Sequence, residues 1–243
     1  MGEPATNSDV LGQTLRSLWT VAPGHPITAI LPTDAASLRD FYPRLQNLVG
    51  STARVHAGRI DGQAIVQGTI VSMGQGSVIE AGAVVHPSCR LILGANSVVR
   101  AGAVLRDEVV VGDDCIIGVH CEVVRTVLLG PRTRLGHFIY VGDSVLGRDS
   151  LLSGNVWVAN TPTSSGGTVP LFLRGKKLDS GRSHLGLLLG DGARVAASTT
   201  VCPGCIILPN VVLPPSVTLH GTIDQTRRHR LMRMFASTWA ERR

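Results

Sequence analysis

The stretch LILGANSVVRAGAVLRDEVVVGDDCIIGVHCEVVRTVLLG, residues 91–130, decides the fold. Read in steps of six from Leu93, it gives Val99, Leu105, Val111, Ile117, Val123 and Leu129, and beyond it Leu135 and Val141. All are branched aliphatics. Four residues after each comes Ser97, Ala103, Val109, Cys115, Cys121, Val127, Thr133, Ile139 or Val145, mostly small or β-branched. Glycine follows the aliphatic position at Gly94, Gly112, Gly118, Gly130, Gly136 and Gly142. A helix repeats every 3.6 residues and a strand every two. Six is a multiple of two, so each unit reads as a short strand and a turn. Stacked units make a parallel β-helix with aliphatic ladders inside. Glycine suits the turn, where a Cβ would be resisted.

The pattern slips by one residue after Val141 and continues through Leu146 and Leu152. It stops near Asn160 and returns at Leu189, Val195, Val201, Ile207 and Leu213. A less regular start runs from about Ile60 to Val85. The composition agrees with a narrow prism: 28 glycines, 16% charged residues and only 4% aromatics in 243 residues. No apolar run reaches the roughly 20 residues of a membrane span. MGEPATNSDV has neither a basic start nor an apolar core, so no signal peptide is read and a cytoplasmic protein is expected.

Five cysteines, Cys89, Cys115, Cys121, Cys202 and Cys205, are odd in number and suggest no disulfide framework. Cys202 and Cys205 form a lone C-P-G-C without a second pair for zinc. Cys115, Cys121 and Cys205 fall on the small inward position, where a free thiol is a small hydrophobe.

The ends read as helices. NSDVLGQTLRSLW is one; TDAASLRDFYPRLQNLVG, with a Thr/Asp cap and Leu38, Phe41, Leu45 and Leu48 at helical spacing, is another. From Ile223 to Arg243, six arginines face Asp224 and Glu241, a surplus of four charges within a chain of net +6. Leu231, Phe235, Thr238 and Trp239 recur at near-helical spacing, so this tail reads as a solvated amphipathic helix before a nucleic-acid contact. The chain thus divides into a helical N-terminal cap over 1–50, a β-helix over 51–222 with an inserted loop at about 160–188, and a basic C-terminal helix over 223–243. Helices at both ends are expected to cover the open ends of the solenoid.

The inserted loop, TPTSSGGTVPLFLRGKKLDSGRSHLG, holds the only two lysines, Lys176 and Lys177, between Arg174 and Arg182. Four cations in nine residues suit an anion, and a long insertion in a solenoid usually projects on its binding face.

One histidine stands out. RLGHFIYVGDS, residues 134–144, places His137 two residues after an inward leucine, in neither inward column, so it faces outward. A neutral imidazole can take a proton near pH 7, so an outward histidine is a candidate general base.

The repeat resembles the hexapeptide-repeat, left-handed parallel β-helix proteins, most of which are acyltransferases that work as homotrimers. GHFIYVGDS followed by SGNVWVAN, together with RGKKLDSGRSHLGLLLGD, resembles more narrowly the acetyltransferase half of bifunctional sugar-1-phosphate nucleotidylyltransferase/acetyltransferases. The resemblance implies His137 as catalytic base, Asn160 near the acyl-transfer centre and Tyr140 against the sugar. It implies Arg125, with Arg106, at the substrate phosphate, and Lys176, Lys177 and Arg182 at the co-substrate, acetyl-CoA. The acceptor would be an amino or hydroxyl group of a sugar phosphate or nucleotide sugar, at sites between subunits of a homotrimer, without metal, membrane or nucleic acid. Two positions depart from the pattern: Leu151 stands where an asparagine is usual, and Trp157 within a usually small-residue run. The fifty residues before the repeat are too short for a nucleotidylyltransferase domain. The γ-class carbonic anhydrases share the fold and bind zinc through histidines, two of them five apart. No such pair occurs among the eight histidines here, and neither His120 nor His184 supplies one. A rival reading keeps the β-helix as a binding scaffold that has lost the chemistry.

Overall fold

The computed structural model describes residues 7–21, 25–163 and 167–240, with side chains from residue 9 to 237 within those ranges. Arg242, Arg243, the side chains of Thr238 and Trp239, and part of the inserted loop lie outside them.

The hexapeptide ladder becomes three parallel sheets of eight short strands each, the walls of a left-handed β-helix. Strands beginning at Arg59, Val78, Val98, Ile116, Arg134, Leu151, Arg194 and Val212 form the first wall. Those beginning at Ile65, Val84, Val104, Glu122, Tyr140, Trp157, Thr200 and Thr218 form the second, and the remaining eight the third. One circuit returns to the same wall after about 18 residues, as Leu105↔Val123↔Val141 shows. Inward residues stack into a dry interior in which Val99, Ile117, Leu105, Val123 and Leu146 are fully buried.

The sequence period misplaces one rung. Leu128, not Leu129, pairs with Val111 below and Leu146 above. The corner before it is one residue shorter than the period demands. Thr126 fills that corner, its Oγ1 donating to the Val124 carbonyl at 2.8 Å. Ser144 does the same one coil later, to the Gly142 carbonyl at 2.7 Å. Val127 and Val145, expected inward, therefore lie outside with Leu129, in a second apolar cluster.

That second cluster explains the helices. Third-wall strands such as Glu108–Val111, Leu187–Leu189 and Cys205–Ile207 are buried on both faces, as continuous apolar runs require. Their outer face is covered by α1 (Asn7–Leu18), α2 (Ala35–Arg39) and α3 (Phe41–Ser51). Leu15, Leu18, Phe41 and Leu45 pack there against Val110, Val127, Val145 and Leu188. Asp34 caps α2: its Oδ1 accepts from the Ser37 amide at 2.7 Å while the Ser37 hydroxyl accepts from the Asp34 amide. The N-terminal cover thus lies along a wall and not over the open end. The first coil keeps Ile60 and Ile65 exposed.

The insertion also behaves differently from a projecting loop. Pro170–Leu173 and Lys176–Asp179 form an antiparallel hairpin. Val169, Leu171, Leu173 and Leu185 are buried in the same outer cluster, so apolar alternation straps the hairpin to the wall. α4 (Gln225–Ala240) lies against the last coils, with Leu231 on the interior cluster. Arg227 and Arg228 turn back onto the carbonyls of Thr222 and Val212. No helix among the described residues is long and apolar enough to cross a membrane.

Four thiols are interior. Burial pushes Cys89 and Cys205 up to about 12, and Cys115 and Cys121 up to about 11. Cys202 is partly exposed. Thiolate is the reactive form. Ellman's reagent at about pH 8 is therefore expected to titrate one thiol in the native protein, Cys202, and all five after denaturation. Fast reaction of several native thiols would contradict the interior placement.

Candidate active site

Two corners of the second wall carry the chemistry-bearing residues. His137 and Phe138 form the corner that leads into the strand Tyr140–Gly142, and Asp143 the corner that leaves it. Six extended residues span at most about 20 Å, so the two corners flank one narrow face.

At the first corner His137 is exposed, and its carbonyl accepts from the Asn155 amide at 2.8 Å, which fixes the turn. Among the described residues no hydrogen bond reaches its imidazole. Phe138 adopts φ +56°, is 63% exposed and stacks on His120 of the coil below at 5.3 Å.

The face between the corners carries Tyr140 in register with Glu122 below and Trp157 above. The Tyr140 and Trp157 rings stack at 4.7 Å and 23°, and Trp157 remains 56% exposed. Burial, then Glu122 and Asp143, raise the Tyr140 phenol above its ordinary value. Its Oη donates to Asn160 Oδ1 over 3.4 Å, bringing two predicted site residues 20 positions apart into contact. Gly142 permits this. A Cβ there would lie 2.6 Å from Asn160 Nδ2 and 3.1 Å from Tyr140 Oη.

The second corner is an ion-pair ladder. Asp107, Arg125 and Asp143 are each 18 residues apart, one per coil, all with positive φ. Arg125 gives Nη1 to Asp107 at 2.5 Å, and Nε and Nη2 to Asp143 at 2.9 and 3.0 Å. These pairings raise its pKa, Asp143 foremost, and hold it charged. Asp143 is buried, and also accepts from Asn160 Nδ2 at 2.6 Å. Arg182 approaches it at 3.8 Å, but spends its other donors on the carbonyls of His184 and Arg39 and lies over the Phe41 ring. Its burial lowers its pKa. Beside the ladder Tyr42 donates to the buried Glu108 at 2.6 Å, and burial plus that carboxylate push the phenol up to about 12. A shallow cavity of about 470 Å³ opens above, between Arg39, Tyr42, Arg125, Asp143, Arg182 and His184.

The predicted residues are therefore distributed. Tyr140, Asn160, Arg125 and Arg182 share the second corner and its approach. Arg106 lies lower on the same wall, its Nη2 2.6 Å from Glu122 and its buried Nε unpartnered. His137 occupies the opposite corner. Lys176 and Lys177 are exposed on the returning strand of the hairpin. Asp107, Tyr42 and Glu108 are not found from sequence, and Asp143 is found only as part of the Gly-Asp that follows Tyr140, with no role assigned. The 18-residue spacing Asp107–Arg125–Asp143 was the available signal, because it equals one coil. Among the described residues no group of three His, Cys, Asp or Glu side chains is placed to hold a metal ion.

No family model matches the sequence. Over 83 residues the chain is 31% identical to a bifunctional sugar-1-phosphate nucleotidylyltransferase/acetyltransferase of Sulfurisphaera tokodaii; the match covers 34% of this chain and only 20% of that protein. Among solved structures, UDP-N-acetylglucosamine acyltransferase from Campylobacter jejuni is similar at 17% identity and TM-score 0.33, covering 73% of this chain and 83% of that one. PerB from Caulobacter crescentus, in complex with CoA and GDP-perosamine, is similar at 16% identity and TM-score 0.26, covering 74% and 62%. At such scores the structural likeness carries no argument about function, and the fold rests on the ladders themselves.

Proposed function

We propose that this hexapeptide-repeat β-helix is an acyl-CoA-dependent acyltransferase, acetyl-CoA being the donor, acting on an amino or hydroxyl group of a sugar derivative such as a sugar phosphate or nucleotide sugar. The observation that carries the reading is the second wall: it joins Tyr140 to Asn160 and ends, at its other edge, in an exposed histidine. The partial relative in Sulfurisphaera tokodaii, an acetyltransferase by name, supports the same class.

In this reading the acceptor lies on the wall with its nucleophile at His137. The imidazole takes the proton as nitrogen or oxygen attacks the thioester carbonyl. The C–S bond then breaks, the acyl group stays on the acceptor, and the thiol leaves with the proton returned. Asn160 is held by Asp143 and orients Tyr140 toward the acceptor. Lys176 and Lys177 supply positive charge for the donor's phosphates. The working form is a homotrimer in the cytoplasm, with a second copy against the exposed Phe138 corner closing the site from water.

The test is release of thiol from acetyl-CoA with a panel of amino sugars, sugar phosphates and nucleotide sugars. Turnover with any of them supports the reading; folded protein that turns over none argues against it. The scaffold alternative draws on Trp157, which crowds a wall that is usually small there. It expects no stabilisation by CoA, whereas saturation at a hundred times Kd should add about 2.7 kcal/mol.

A further inference from the structure

The cations expected at a substrate phosphate are already matched within the chain. Arg125 is held by two carboxylates, Asp107 and Asp143, with three hydrogen bonds of 2.5 to 3.0 Å. Arg106 meets Glu122 at 2.6 Å. Arg182 shares Asp143 and is otherwise bound to main-chain carbonyls. Each of these three guanidinium groups thus faces a carboxylate, with Arg39 also lining the cavity and the buried Arg106 Nε left without a partner. A phosphate gains from arginine only if the fork is open to it. Arg125 would have to release Asp143, which would leave a buried carboxylate with only Arg182, at 3.8 Å, as a cation.

What the wall does offer is aromatic. Trp157 lies with one side on Tyr140 and with the small Thr200 in register above it, and more than half of it is exposed. It stands on the same face as Tyr140, between the histidine corner and Asn160. An indole and a phenol stacked in this way present a rigid apolar body with polar tips, which suits a ring with one apolar face and hydroxyls at its rim.

Building on the acyltransferase reading, we propose that Trp157 is the specificity-determining residue of the acceptor site: with Tyr140 it stacks the pyranose ring of the acceptor, and Arg125 does not read a phosphate. The chain recognises the sugar ring itself, with or without a phosphate. A phosphate on that ring neither helps nor is required.

The experiment uses glucosamine, galactosamine and their 1-phosphates as probes, with two readouts: tryptophan fluorescence titration without donor, and acyl transfer with acetyl-CoA. The expected result is quenching by the sugars, lost in Trp157→Ala. KM for the acceptor rises at least about tenfold in that variant with kcat within about threefold, and Trp157→Phe restores most of the loss. The 1-phosphate alters kcat/KM by less than about threefold, in the wild type and in Arg125→Gln alike. A preference for the 1-phosphate of about tenfold or more that Arg125→Gln abolishes would overturn the proposal. So would turnover whose KM ignores Trp157→Ala, which would leave the enzyme reading standing. Quenching that depends on Trp157 without any turnover would keep the platform and remove the enzyme reading. Absence of both, with Trp157→Ala splitting the oligomer, would assign Trp157 to a subunit contact and end the proposal.

Discussion

His137→Ala is expected to lower kcat by about 10²–10⁴-fold, the usual contribution of a positioned general base, with the KM for acetyl-CoA little changed. The side chain is exposed at its corner, and the turn is held by its main-chain carbonyl, which alanine retains. Melting temperature and oligomer mass should therefore stay at wild-type values. That separation makes the result interpretable: a loss of rate in an equally stable assembly is chemical. Steady-state thiol release, differential scanning fluorimetry and light scattering on the same preparation check it. A fully active variant would remove His137 from the reaction. The base would then have to be sought at the opposite corner, where His184 borders the cavity above the ladder.

The repeat made the architecture legible because one physical constraint recurs. Each inward residue must fill the same narrow section, so Leu105, Val123 and Val141 are interchangeable in kind and equally spaced. Leu129 shows where spacing fails. A corner can lose a residue if a hydroxyl such as that of Thr126 satisfies the backbone it exposes, and a hexapeptide count cannot see that substitution. The place of the helices was open to reading through a different signal. The runs 109–111 and Leu187–Leu189 are apolar at successive positions, so their wall needs a cover on its outer side, whereas a two-residue strand such as Arg134–Leu135 leaves one position to solvent. The site was only half legible. Tyr140 and Asn160 are found by motif, and they touch. The state of Arg125 depends on residues one coil away on each side, which a linear motif does not include.

Asp143→Ala is expected to be the most destabilising single change at the site, by about 3 kcal/mol, the lower end of the range for breaking a buried ion pair. The lower end applies because Arg125 keeps Asp107 and its side chain is 24% exposed, so part of its charge can be hydrated. What cannot be hydrated is the rest of the corner. Asn160 Nδ2 loses its 2.6 Å acceptor while buried, and Arg182, with a side chain only 10% exposed, loses its one nearby carboxylate. The neck of the insertion closes at the same place, through the Gly186 amide on the Asp143 carbonyl and the Leu185 amide on the Asn160 carbonyl. Loosening Asn160 therefore loosens the hairpin strap over the third wall. For a chain of this size 3 kcal/mol corresponds to roughly 6–12 °C in Tm. Asp107→Ala is the control. It removes one bond from a more exposed carboxylate, for which about 1 kcal/mol or less is expected. Asp143→Asn should fall between, since an amide oxygen can still accept from one neighbour but carries no charge for Arg125. Thermal melts of the three variants test the order. Equal small shifts would mean that Arg125 is satisfied by Asp107 and water, and that its guanidinium is open to an acceptor's phosphate after all.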